Sequence, residues 1–505
     1  MNILLVYPRY PDTFWSFRHA LKFIGRKASF PPLGLLTVAA MLPGSWRTRL
    51  VDMNIRPLED ADLAWADAVF LSAMTIQRES VREVLDRCRE HGVRTVAGGP
   101  LFTSCHDDFP DVDHLVLGEA EVTLPPFLAD LENGTPRRLY ADSRRADMGV
   151  TPVPRWELID HREYAAMNLQ YCRGCPFDCE FCDITALFGR KPRSKSAEQV
   201  ISELESLYVR GWRGAIFFVD DNFIGDKGKL KREILPAMID WVERKGYPFY
   251  FYTEASIDLA DDPRLMELMV RAGFEEVFIG IETPDDGGLD ESGKVQNRHR
   301  DLLDSVRRIQ QAGLQVHGGF IVGFDSDPPA IFERQIRFIQ ESGIVTAMVG
   351  MLTALRGTRL HQRLSREGRL LGDASGNNTA IALNFVPRMN PDLLIDGYRA
   401  ILAAIYSPKH YYRRVISLLR EYRPLSRGKF RIQRGYLGAL GKSILVLGVF
   451  GRERPHFWKL FFWSLLRKPR LFPLAITYAI YGFHFRKVAE KIGVTGMFEN
   501  RGCLE

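Results

Sequence analysis

From Tyr171 to Asp183 the chain reads Tyr-Cys-Arg-Gly-Cys-Pro-Phe-Asp-Cys-Glu-Phe-Cys-Asp, which gathers Cys172, Cys175, Cys179 and Cys182 into eleven residues. The other three of its seven cysteines, Cys88, Cys105 and Cys503, are scattered. Such a local cluster suits a metal site in a reducing compartment better than a disulfide framework. Two ligand sets are open at this point. Cys175, Cys179 and Cys182 form C-x3-C-x2-C, a thiolate set for a four-iron cluster in which one iron has no protein ligand. Adding Cys172 makes a zinc knuckle, although the pairs of a typical knuckle lie a dozen or more residues apart.

Downstream of the cysteines, apolar runs alternate with helical patterns, and each run ends in polar residues. Ala215–Val219 leads into Asp220-Asp221-Asn222, and Phe249–Tyr252 into Thr253-Glu254-Ala255-Ser256. Val277–Ile281 leads into Glu282-Thr283, and Phe320–Val322 into Gly323-Phe324-Asp325. Ser196-Ala-Glu-Gln199 is a capping box and starts the helix before Asp220. One acidic strand end is usually a helix cap. Four of them beside a cysteine cluster indicate the mouth of a full or partial α/β barrel.

Upstream, Ile3–Tyr7, Ala68–Leu71, Thr95–Ala97 and His114–Leu117 read as strands, with helical patterns at Leu33–Met41 and Ser80–His91. This alternation indicates a parallel, doubly wound sheet whose ligand lies beyond the carboxyl ends of the strands. The residues there include Ser72, Gly98-Gly99 and Gly118-Glu119. Glycines at that edge let backbone approach a ligand closely, and two ordinary turn glycines are the simpler alternative. No GxGxxG follows the first strand, which argues against an ordinary dinucleotide site.

The chain has 505 residues, 46 % hydrophobic and 26 % charged, which suits about three globular domains and excludes disorder, collagen and coiled coil. The start, MNILLVYP, reads as a buried strand rather than a secretory signal, and no apolar run is long enough to span a bilayer. The net charge of +6 hides an asymmetry: Lys409–Glu505 carries 20 Lys+Arg against 5 Asp+Glu. A basic tail on a mildly acidic body points to an anionic partner.

The cysteine motif on a barrel pattern, with Asp220-Asp221-Asn222-Phe223 and Gly280-Ile-Glu-Thr283, resembles the radical S-adenosylmethionine (SAM) superfamily. The preceding domain resembles the cobalamin-binding domain of its methyltransferase branch, and within that branch the pattern is most similar to hopanoid C-methyltransferases. Phe14-Trp15-Ser16-Phe17 and Pro31-Pro32-Leu33-Gly34-Leu35-Leu36 are among the residues that carry this likeness. The resemblance implies a doubly wound, Rossmann-like cobalamin-binding domain at 1–145, a linker at 146–165, and a partial (β/α) barrel radical SAM domain at 166–385. A helical, basic C-terminal region follows at 386–505.

It further implies that Cys175, Cys179 and Cys182 hold a 4Fe-4S cluster whose open iron chelates SAM. Phe181 would pack on adenine, and Asp220 or Asp221 would meet the methionine amino group. Glu254, Ser256 and Glu282 would hold ribose or substrate, and Ser72, Gly98 and Gly99 would line the cobalamin cleft. An electron donor such as flavodoxin or ferredoxin is expected. No Asp-x-His-x-x-Gly is present to place a histidine beneath cobalt. The implied reaction methylates an unactivated carbon: a radical from SAM removes hydrogen and methylcobalamin gives its methyl. A related cyclase or rearrangement enzyme and an RNA-modifying enzyme are the alternatives.

In the tail, Phe457-Trp458-Lys459-Leu460-Phe461-Phe462-Trp463 interleaves aromatic, aliphatic and basic residues. The expectation is amphipathic helices on the inner face of the cytoplasmic membrane, near a lipid-like substrate. Helices packed on the barrel with a solvated basic face are the simpler alternative. Nucleic acid is disfavoured, because long aliphatics between the aromatics suit an apolar face better than base stacking.

Overall fold

The structure is a computed structural model and describes residues 1–424 and 434–494. Cys503, with the rest of 495–505, and the basic stretch at 425–433 lie outside the described residues.

Two parallel sheets organise the molecule. The first has β1 (Asn2–Tyr7), β2 (Arg47–Asp52), β3 (Ala68–Ser72), β4 (Arg94–Gly98), β5 (His114–Val116) and β6 (Leu139–Tyr140), in the order β2-β1-β3-β4-β5-β6. Every neighbouring pair is parallel. The order reverses between β1 and β3, which is the crevice where such sheets bind ligands. Strand β1 is central, and Ile3, Leu4, Leu5 and Val6 are fully buried because helices cover both faces.

The second sheet contains β7 (Met167–Leu169), β10 (Ala215–Phe218), β11 (Tyr250–Ala255), β12 (Phe274–Glu282), β13 (Gln315–Val322) and β14 (Ala347–Met351) in that spatial order, all parallel. A small antiparallel pair, β8 (Cys172–Arg173) and β9 (Arg193–Ser194), brackets the cysteine loop. The barrel is partial, as expected: among the described residues β14 does not pair with β7. The N-terminal stretch fills that gap. The Trp15 indole N–H points at Met348 Sδ on β14 (3.0 Å), and Asn168 on β7 donates to the Pro31 carbonyl (3.1 Å).

Several strand limits differ from the sequence reading. Strand β11 runs through Glu254, so this residue lies within the strand and not after it. Strand β12 begins at Phe274, because Glu275 and Glu276 can extend a barrel strand whose inner face tolerates polar groups. The edge strand β2 escapes notice because arginines alternate along its half-exposed start.

The C-terminal helices pack on this body. Tyr398 donates to the Val349 carbonyl and Tyr406 to that of Ala347 (3.3 and 2.6 Å), which fixes helix Pro391–Tyr406 against β14. Helix Phe472–Ala489 buries Tyr478, Ile480, His484 and Phe485. Phe485 stacks on Phe14, with ring centroids 4.2 Å apart, and His484 contacts the Phe14 carbonyl at 2.9 Å. The apolar run Leu471–Tyr481 is therefore largely a core element. Among the described residues, no helix is long and apolar enough to cross a membrane.

Candidate active site

The cysteine loop is stapled at its root. Gly174 has φ +92°, and a Cβ there would stand 2.9 Å from the Gly189 carbonyl and 3.0 Å from that of Lys191, so only glycine passes. Asp220 is fully buried and accepts from the Tyr171 N–H (3.1 Å) and from the Cys172 N–H. Further along, the Glu180 N–H donates to the Ser292 carbonyl at 2.8 Å. The Arg363 guanidinium bridges Glu180 Oε1 (2.8 Å), Asp325 Oδ2 (3.0 Å) and Glu291 Oε1 (3.3 Å), joining the loop to the mouth of the barrel.

The four cysteines divide by what faces their sulfur. Cys175 receives the Phe177 N–H and, at 3.8 Å, the Asn222 amide. Cys179 receives the Gln296 side-chain amide, and Cys182 the Ile184 N–H. Burial pushes all three thiols up, and each N–H pulls the other way by favouring the thiolate. Lys294 adds a positive charge beside Cys179 while its ammonium bonds Glu282 Oε1 at 2.6 Å. Cys172 is the reverse. It is 2 % exposed, its thiol points at the Asn222 carbonyl (3.7 Å), and burial followed by Asp220 drives it well above the usual thiol range. Three sulfurs thus face N–H donors and the fourth faces an acceptor.

The remaining mouth residues fall into distinct positions. Burial pushes Asp221 up to about 7, with Asp220 and Asp183 adding to the shift. Glu254 rises to about 8 from burial and from Asp221 and Asp220. Asp221 and Glu254 thus share one acidic patch, whereas Asp220 is committed to backbone. Ser256 takes part in hydrogen bonds with Asn222 (3.3 Å). A cleft of about 450 Å³ lies beside them, lined by Pro176, Phe177, Asn222 and Ser256. Glu282 holds φ +63° and is neutralised by Lys294. Phe181 leans on Phe324, with centroids 6.4 Å apart, at the edge of a small apolar cluster.

The carboxyl edge of the first sheet faces this mouth. Asp108 meets Arg356 at 3.2 Å, and a Cβ on Gly376 would stand 2.8 Å from the Ile76 nitrogen. Glu119 and Glu121 receive Arg173 (2.8–3.1 Å), and Arg193 also binds Glu119 (2.8 Å), at the two strands that root the cysteine loop. At the same edge, a Cβ on Gly99 (φ +88°) would meet Ser72 Oγ at 2.5 Å, and one on Gly98 would meet the Val116 carbonyl at 2.6 Å. Both glycines thus admit the chain's own atoms. No histidine occurs among the strand-end residues Pro8–Tyr10, Asp52–Asn54, Ser72–Thr75, Gly98–Pro100 and Leu117–Glu119.

Residues 24–128 match the B12 binding domain, 169–339 the Radical SAM superfamily and 358–495 a domain of unknown function, DUF4070. An uncharacterized methyltransferase of Synechocystis is 41 % identical over 97 % of this chain and 92 % of its own. The hopanoid C-2 methylase of Rhodopseudomonas palustris is 36 % identical over 92 % and 90 %. The chain belongs to the cobalamin-dependent radical SAM methyltransferases. Its fold is similar to that of OxsB, a cobalamin-dependent radical SAM enzyme solved with aqua-cobalamin and SAM bound. The TM-score is 0.64 at 15 % identity, covering 97 % of this chain and 79 % of that one.

This methyltransferase uses a 4Fe-4S cluster, SAM and cobalamin, and needs a reductant. The donor chemistry fits the cluster: three cysteines on a stapled loop each receive an N–H at sulfur, as iron–sulfur ligands do. Among the described residues, no three His, Cys, Asp or Glu side chains gather as around a single metal ion. The sequence reading missed Lys294, Gln296, Arg363 and the Arg173–Glu121 pair. Of that acidic edge, only Glu119 was marked, by its place at a strand end.

Proposed function

We propose that this enzyme methylates an unactivated carbon of a hopanoid or similar polycyclic lipid. The observation that carries this reading is the near full-length likeness to the hopanoid C-2 methylase. The cluster and SAM supply hydrogen-atom abstraction, and cobalamin supplies the methyl group. The chain supplies the alignment. Cys175, Cys179 and Cys182 hold the cluster on its stapled loop, with Lys294 and the N–H donors offsetting its charge. Asp221, with Glu254 and Ser256, would take the amino group and ribose of SAM, and Phe181 would flank adenine. Asp220 serves them indirectly by fixing the loop root. Ser72, Gly98 and Gly99 line the cobalamin side. Anaerobically reconstituted enzyme given methyl-labelled SAM, a reductant and a hopanoid should yield labelled methylhopanoid. SAM consumption without label in the lipid would favour a cyclase or rearrangement.

We also infer peripheral contact with the inner face of the cytoplasmic membrane, through residues 437–470. Helix Arg454–Arg467 buries Phe457 and Leu460 on one side yet leaves Phe462 53 % and Leu466 78 % exposed on the other. Leu445, Val449 and Phe450 are also exposed, and the same stretch of chain carries Lys442, Arg452, Arg454, Lys459, Arg467 and Arg470. The one acid in this stretch, Glu453, is buried against Arg486. Exposed apolar groups in a basic field suit an anionic lipid surface. Replacing Phe450, Phe462 and Leu466 with serine should release the protein from anionic vesicles without loss of cluster iron. Vesicle binding equal to the parent would refute this surface.

A further inference from the structure

The strands of the barrel are sealed outside and accessible inside. Ile216, Phe218, Phe251, Val277 and Ile279, which point outward, are fully buried under the helices. Phe217, Tyr252, Glu254, Glu276 and Phe278 point inward and keep partial exposure. Register places Phe217 beside Tyr252, Tyr252 beside Glu276, and Phe278 beside His317, so these side chains share one face. Their exposure is therefore to an internal space.

That space is aromatic along its walls and closed where the barrel is open. Tyr252 stacks on Phe217 at 4.9 Å, Phe30 lies 5.5 Å from Phe217, and Trp15 meets Phe278 edge-on at 5.5 Å. The floor is covered by helix Phe472–Ala489, whose Tyr478 hydroxyl donates to Gln315 at 2.7 Å. From Glu276 to Glu282 at the mouth, six residues of β12 span roughly 20 Å.

One feature of the lower lumen is neither apolar nor satisfied. His317 is 9 % exposed, and its Nε2 has no hydrogen-bond partner. Glu276 Oε2 stands 3.6 Å from it, beyond a hydrogen bond, so that one hydroxyl seated beside the pair could reach both. Burial holds His317 at about 4, neutral at physiological pH, and pushes Glu276 up to about 8, with Glu275 adding to the shift. An uncharged acid beside an uncharged imidazole is a poor receptor for an ion. It suits a group that both donates and accepts.

We propose that the barrel lumen seats the lipid with its reacting carbon toward the cysteine loop, and that Glu276 and His317 bind a hydroxyl at its far end. This rests on the lipid reading above and adds a polar requirement to it. Without such a hydroxyl, His317 Nε2 stays unmatched beside Glu276 when hydrocarbon fills the lumen, which is how a polar site discriminates against an apolar analogue.

The test compares binding of a hopanoid alcohol and the hopanoid hydrocarbon of the same skeleton to the full-length protein. Both are measured in the same detergent micelles through Trp15-sensitive fluorescence and by mass spectrometry of the retained lipid. The parent protein should prefer the alcohol by about tenfold. Glu276→Leu and His317→Leu should abolish that preference while retaining the hydrocarbon. Glu276→Gln, which keeps a donor and an acceptor, should preserve it and report on folding. Equal affinities in the parent, or a preference that survives both leucine substitutions, would overturn the proposal and leave the lipid reading intact. If neither lipid binds, both fall. Should a leucine variant fail to fold, the parent ratio decides.

Discussion

Replacing Arg173 with methionine tests whether the cobalamin-binding domain and the cysteine loop are held together by charge. Methionine keeps the length and removes the guanidinium. Glu121 shows what is at stake. Burial alone would raise its pKa, but hydrogen bonds and charge from Arg173 outweigh burial and lower it from 4.5 to about 2. At 1.36 kcal/mol per unit, that depression is worth about 3 kcal/mol. Removing one partner of a buried pair independently suggests about 3–5 kcal/mol, and the pair is buried, with side-chain exposures of 12 % and 3 %. Because the folded pKa is depressed, this stability is fully present above about pH 5 and disappears as pH falls towards 2.

Hydrogen exchange reads it locally. In R173M, amides of the loop between β8 and β9 should lose protection by about a hundredfold at pH 7, the equivalent of ~3 kcal/mol. The gap between parent and variant should shrink progressively below pH 5. Unchanged protection at pH 7 would refute the clamp. A gap that persists undiminished at pH 2.5 would show that something other than Glu121 ionisation is responsible.

Other expectations follow from the site. Cys175→Ala, Cys179→Ala and Cys182→Ala should each abolish cluster iron and reductive SAM cleavage, whereas Cys172→Ala should keep its iron; iron and sulfide analysis decides, and iron loss in Cys172→Ala would restore a four-cysteine site. Lys294→Met removes positive charge beside Cys179, so the cluster potential should fall by roughly 60 mV, a tenfold change for one electron; an unchanged potential in an EPR-monitored titration would discount the contact. The bound cobalt(II) corrin should show no nitrogen splitting from a protein imidazole in its EPR spectrum, and the appearance of that splitting would contradict the cleft described above.

The cysteine motif, the capping box at Ser196 and the polar strand ends could be read directly, because each depends on residues close together in the chain. The same cannot hold for what positions them. Arg173 is separated from Glu121 by 52 residues and from Glu119 by 54, and no periodicity links such partners. Asp220 and Asp221 are neighbours in sequence and could not be told apart by chemistry. Their directions separate them, one into backbone N–H groups and the other into the mouth. Glu275 and Glu276 concealed the start of β12, since a carboxylate in a strand reads as a break unless its inner face borders a lumen. Cys172 shows the same limit. Spacing admits it as a ligand, but an acceptor in front of its sulfur argues otherwise.

The basic tail is the clearest case in which counting charge and locating it give different answers. Arg414 is 1 % exposed, contacts the Val345 carbonyl and lies over the Tyr411 ring, and burial lowers it to about 10. Arg486 is buried against Glu453. These cations belong to the packing of the C-terminal helices on the barrel and are not available to a lipid headgroup. Helix Phe472–Ala489, which supplies much of the tail's hydrophobicity, is likewise spent on Phe14, Phe17 and the floor of the lumen. Removing the whole tail would therefore open the barrel from below and could not report on membrane binding alone. The outer face of 437–470 is different: Phe450 and Leu466 are 77 % and 78 % exposed, so substitutions there disturb the packing least and best separate docking from folding. One C-terminal region thus has two faces, an inner one packed against the barrel and an outer one that carries the exposed apolar groups of the proposed docking surface.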